Sequence, residues 1–139
     1  MCARLAQSPD EHIWDLGGRS ITQLLVDPSG FRFRCWTLDA DLEVRFETPF
    51  SFRGADGREH DIDPEQPRTI APLLDLIRTG VSEIRVLRSG EVAITLSDRS
   101  SIHARSHPVY EAWEIAGAGG LSGIGYLCGP GGGSPVPPL

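Results

Sequence analysis

The segment PVYEAWEIAGAGG, from Pro108 to Gly120, sets Tyr110, Glu111, Trp113 and Glu114 within five positions. Two carboxylates so close are the raw material of a glycosidase-type acid pair, which needs them across a substrate cleft with one held protonated. The local period decides whether they can cooperate. In a helix Glu111 and Glu114 lie one turn apart and share a side. In a strand Glu111 falls with Trp113 and Ile115, and Glu114 falls with Tyr110 and Ala112. Pro108 favours an extended entry, and the glycine-rich stretch followed by IGYLC reads as a loop and a returning strand. A hairpin is therefore expected, with the carboxylates pointing apart, Trp113 anchored in the core and Glu114 in solvent.

Other groupings of reactive residue types are weaker. His103 and His107 have the spacing of a helical metal pair, but the pattern around them is extended, and four residues of strand separate side chains by about 13 Å. EHDID sets His60 beside Asp61 and Asp63 without a soft ligand nearby, so a solvated loop in which Asp63 caps a turn at Pro64 is the simpler reading. GPGGG at Gly129 lacks the Lys and Ser or Thr of a phosphate loop and opens no helix. The glycines from Gly117 match a dinucleotide fingerprint only through their density. Serine, histidine and acid are all present, yet no GxSxG elbow or Cys-His signature organises them. Cys2, Cys35 and Cys128 are odd in number and far apart, which argues against a disulfide framework or a thiolate metal site. No catalytic residue, metal or cofactor is assigned, and the balance leans away from an enzyme.

The elements that position these residues follow a period of two. In DLEVRFE, Leu42, Val44 and Phe46 alternate with Glu43, Arg45 and Glu47, and in FRFRCW, Phe31, Phe33 and Cys35 oppose Arg32, Arg34 and Trp36. The same alternation runs through VSEIRVL, EVAITL and SSIHAR. The turns DPSG, LDAD, RSGE and SDRS between them are too short for a crossover helix, so neighbouring strands must pair antiparallel. RGADGREHDIDPEQP is a longer loop carrying five acids, Asp56, Glu59, Asp61, Asp63 and Glu65. It leads into TIAPLLDLIRTG, where Ile70, Leu73, Leu74 and Ile77 recur at helical spacing, Thr69 can cap the start and Gly80 can close the end. The strands near Ile21, Phe31 and Leu42, and those near Ile84, Val92 and Ile102, form two meanders of like rhythm. The expected fold is a single α+β domain over residues 1–128, mostly antiparallel β, in which the two meanders form a sandwich or half-open barrel with one packed helix. Residues 129–139 read as a Gly/Pro-rich tail.

Composition excludes several partners. The net charge is -6 and the pI about 5.1, which opposes nucleic acid because phosphate binding needs clustered cations. No apolar run approaches the roughly 20 residues of a membrane span, and the start of the chain has no apolar leader, so a cytoplasmic location is expected. All 13 basic residues are arginine, with lysine and asparagine absent; both missing residues use A-rich codons, which fits a GC-rich bacterial genome. An acidic surface suits a protein partner with a basic surface, and exposed strand edges leave homo-oligomerisation open.

HPVYEAWEI, the glycine loop and GYLCGPGGG resemble the closing segment of a family of small uncharacterised actinobacterial proteins, a domain of unknown function, and WDLGGRSITQLLVD resembles that family's opening strand. The resemblance implies a small, mostly β domain and carries over no catalytic residue. Similar small bacterial domains serve as immunity partners of secreted toxins, an analogy of size and genome class. The expected function is a non-enzymatic protein-binding module, with contacts through Asp56, Glu59, Asp61, Asp63, Glu65, Tyr110 and Glu114. The alternative is a small ligand-binding or hydrolytic β-barrel with a pocket near Trp36, Trp113 and His103.

Overall fold

The computed structural model describes residues 11–28, 30–87, 89–107 and 112–129. They form eleven strands and one helix. The first meander is β2 (Gln23–Asp27), β3 (Gly30–Trp36) and β4 (Ala40–Phe46), and the second is β7 (Gly80–Leu87), β8 (Val92–Leu96) and β9 (Ser101–Ala104). The meanders lie in different sheets. After each, the chain crosses to the opposite sheet and completes it with a hairpin. β5 (Phe50–Arg53) and β6 (Glu59–Ile62) extend the second meander beyond β9, while β10 (Trp113–Gly119) and β11 (Tyr126–Cys128) extend the first beyond β4. With β1 (Glu11–Ser20) beside β7, the sheet orders are β1-β7-β8-β9-β5-β6 and β11-β10-β4-β3-β2, with every pair antiparallel. The two sheets pack on one core without closing into a barrel, so the two-meander fold read from the sequence holds; the exchange of hairpins is an addition to it.

The alternating patterns set the inner faces. Phe31, Phe33, Leu42, Val44, Phe46, Ile84, Val86, Val92, Ile94 and Ile102 are fully buried in one cluster, the arrangement that strands with one apolar face require of two packed sheets. The crossing from β4 to β5 takes three residues, and the rings on either side, Phe46 and Phe50, stack with centroids 4.2 Å apart.

The opening segment is two strands rather than one. β1 bulges between Asp15 and Arg19, where Gly17 and Gly18 have positive φ and the Asp15 carboxylate accepts the Gly17 N–H at 2.9 Å. Opposite the bulge, a Cβ on Gly80 would strike the Gly18 carbonyl. Gly80 therefore belongs to β7 as a point of close backbone approach, and the helix ends at Arg78 with Thr79 as its C-cap.

The helix is a 3-10 helix, Pro67–Arg78, with Pro72 inside it. At three residues per turn the side chains stack in rows. Ile70, Leu73 and Leu76 form the buried row, whereas Leu74 and Ile77, which α-helical spacing would place inside, are 60% and 46% exposed. Thr69 does not cap the helix. Its hydroxyl accepts the Asp63 N–H at 2.8 Å and lies 3.0 Å from the Asp63 carbonyl, holding the preceding turn. In that turn Asp63 Oδ1 accepts the Glu65 N–H at 3.0 Å, the role expected of Asp63. The helix contacts β6 and β2, the outermost strands of the two sheets.

The three-residue row separates two neighbouring leucines. Leu73→Ala is expected to cost about 2–5 kcal/mol in urea unfolding, and Leu74→Ala less than about 0.5 kcal/mol. Comparable losses at both positions would show the α-helical register instead.

Candidate functional site

Trp113 is a core residue. It is fully buried, and its indole N–H donates to the Gly90 carbonyl at 2.7 Å. A Cβ on Gly129 would sit 2.7 Å from that indole nitrogen, so the first glycine of GPGGG serves close packing on Trp113. Glu114 lies on the outward face, in register with Arg45. Tyr110 and Glu111 lie outside the described residues, as does the tail from residue 130.

The outward face of β3 and β4 carries more than solvated charges. Arg34 donates to Asp41 at 2.7 Å and lies 3.9 Å from Glu43, and Arg32 bridges Asp27 and Glu43, each at 3.6 Å. Arg45 adds Glu47 at 3.2 Å. The Asp41 hydrogen bond holds the Arg34 guanidinium protonated beyond its ordinary range, against the opposing effect of burial. These side chains mutually cover one another at about one-third exposure, a network that aligns strands but brings no two carboxylates to a cleft.

The acidic segment is not one loop. Residues 59–62 form β6, with Ile62 buried and Glu59 and Asp61 outward. Asp56 accepts the Arg58 N–H at 2.9 Å, Glu59 pairs with Arg53 at 2.9 Å, Asp63 belongs to its turn, and Glu65 is exposed. Asp56 reaches a surface groove of about 420 Å³ lined by Phe52, Ala55, His60, Pro72, Asp75 and Asp98. The hairpin β5–β6, the helix and the β8–β9 turn build this groove, so its three carboxylates come from separate segments. His60 stacks on Phe52 with ring centroids 6.1 Å apart. Asp98 is held by its turn, accepting the Ser100 N–H at 2.9 Å and the Ser100 hydroxyl, whereas the Asp75 carboxylate makes no hydrogen bond or ion pair among the described residues.

A second cleft, of about 300 Å³, lies on the outer face of the other end of the same hairpin and is lined by Pro49, Phe50, Ser51, Asp61, His103 and Arg105. His103, Ser51 and Asp61 stand in register on β9, β5 and β6. This row holds the residue types of a hydrolytic triad in the wrong relation: the Ser51 hydroxyl donates to the His103 carbonyl at 3.4 Å, and the imidazole faces Glu91 at 3.8 Å. A nucleophile needs its hydroxyl on the base, and the base oriented by the acid.

Over residues 12–136 the chain matches the model of DUF6188, a family of unknown function. The chain belongs to that family. No curated protein and no solved structure matches it. In this DUF6188 domain Trp36, Trp113 and His103 share no hollow: Trp36 is 51% exposed, Trp113 is sealed, and His103 is on the outer face of the other sheet. Among the described residues no three of His, Cys, Asp and Glu group so as to hold a metal ion, and no helix is long and apolar enough to cross a membrane.

One cysteine departs from the reading against disulfides, and another keeps to it. Cys128 is disulfide-bonded, and Cys35 is free and buried. Burial pushes the Cys35 thiol up to about 12, with Asp41 adding to the effect and Arg19 opposing it. The unfolded thiol ionises near 9.0, so above that pH the unfolded chain binds fewer protons than the folded one. The contribution of Cys35 to stability is intact below pH 9.0 and is lost as pH rises towards 12. Iodoacetamide at pH 8 is expected to leave Cys35 unmodified in the native protein and to label it in urea, read by intact mass; rapid native labelling would contradict the buried placement.

Proposed function

We propose that this DUF6188 domain is a non-enzymatic protein-binding module that accepts a basic segment of its partner in the groove between the β5–β6 hairpin and the helix. One observation carries the reading: Asp56, Asp75 and Asp98 share a groove with the apolar surfaces of Phe52, Ala55 and Pro72. Such a mixture matches an arginine or lysine side chain, whose stem packs on apolar atoms while its head meets carboxylates. Six carboxylates and three arginines between Arg53 and Asp75 give the surroundings an acidic bias that speeds encounter with a cationic partner. The packed interior supports the same reading, since the inward side chains that would line a barrel lumen fill a core instead. An immunity-type role, masking a cationic surface of a toxin, is the form in which such a module acts, and Glu59, Asp61 and Glu65 flank the groove's hairpin as secondary contacts.

Asp75 is the cleanest probe because the fold does not use its carboxylate. An acetylated, amidated tetra-arginine peptide is expected to bind in low-salt calorimetry, about three- to tenfold more weakly to Asp75→Asn and unchanged to Glu83→Gln on a distant strand. Equal binding to wild type and Asp75→Asn would contradict the groove as the site.

A further inference from the structure

We infer that the second cleft, between β9 and β6, binds a small zwitterion of dipeptide size, independently of the acidic groove. Two charges of opposite sign line it without partners. Neither the Arg105 nor the Asp61 side chain forms an ion pair or hydrogen bond among the described residues, although other charges on the neighbouring strands are paired: Arg53 with Glu59 and Arg85 with Glu83. Arg105 follows the last residue of β9 and Asp61 is on β6, with β5 between those strands, so β9 and β6 run about 9.6 Å apart, two strand spacings. Over that strand the cleft floor is Phe50, Pro49 and the Ser51 hydroxyl. A carboxylate is recognised by the fork of a guanidinium and an ammonium by a carboxylate. A ligand that meets both charges must hold its own two charges several ångströms apart. A free α-amino acid carries both on one carbon, whereas a dipeptide separates them by a peptide unit of about 3.8 Å between Cα atoms. The cleft volume of about 300 Å³ accommodates such a molecule with its backbone over Ser51, its carboxylate on Arg105 and its ammonium on Asp61. His103, facing Glu91, borders the carboxylate end as a neutral or cationic donor.

Titration of the ¹⁵N-labelled protein with diglycine tests this, using N-acetyl-diglycine and diglycine amide to remove each charge in turn. Saturable shifts are expected at the amides of Ser51, Asp61 and His103, with each blocked form about tenfold weaker. Arg105→Gln is expected to weaken diglycine about tenfold while leaving the amide unchanged, and Asp61→Asn to weaken diglycine while leaving the acetylated form unchanged. Both side chains are exposed, so neither variant disturbs the fold, which thermal unfolding checks. Absence of saturable shifts up to about 20 mM, or equal binding of all three compounds, overturns the assignment. The tetra-arginine site is judged separately through Asp75, which lines the acidic groove and not this cleft.

Discussion

The stacked pair Phe46 and Phe50, with ring centroids 4.2 Å apart, marks the constraint on which the structure depends. The chain leaves one sheet at Phe46 and enters the other at Phe50, with both rings inside the core. Phe31 joins them at 6.3 Å. Because β5 and β6 complete the sheet of the second meander, and β10 and β11 that of the first, neither half of the chain holds a finished sheet of its own. Each meander has its inner face covered, and its last strand paired, by residues from the other half. Separating the halves would expose two apolar faces and two strand edges at once, and both are costly.

That constraint governs where chemistry can occur. The inner faces are committed to aliphatic and aromatic packing, so polar side chains are carried outward, strand by strand. On β3 and β4 they satisfy one another in a lattice of ion pairs. On β5 and β6 Arg53 pairs with Glu59 but Asp61 is left without an ion pair among the described residues, and the two clefts arise there, on either side of a hairpin that the exchange has placed on the foreign sheet. Both clefts are thus products of the crossing: Asp56 and Asp61 come from the first half of the chain, Asp98, His103 and Arg105 from the second.

Much of this was legible in the sequence. Strict alternation in β3, β4 and β8, and alternation in β7 from Ile84 onward, gave both the strands and their buried faces, and short turns rich in Asp, Gly and Ser forced antiparallel neighbours. Trp113 was readable as a core anchor, with Glu114 facing outward. What escaped has physical causes. Which hairpin pairs with which meander is a contact between residues far apart in sequence, and local pattern does not encode it. Leu74 and Ile77 fit an α-helical stripe as well as Leu73 does, and only Pro72, which removes a donor and clashes with the carbonyl four residues back in an α-helix, signalled a different geometry. β6 buries little beyond Ile62, because the outermost strand of a sheet needs few apolar positions, so EHDI read as loop. The disulfide at Cys128 escaped because three widely spaced cysteines leave one unpaired whatever the others do. The grooves draw on three or more separate segments each, so no motif announces them.

Native-state hydrogen exchange followed by NMR tests the exchanged-hairpin architecture directly. Amides of β4, β5, β9 and β10 are expected to share one opening free energy, equal to that of global unfolding, because none of the four strands can lose its partner without breaking both sheets. Opening of the β5–β6 or β10–β11 hairpin at markedly lower free energy, with the meanders still protected, would contradict the account.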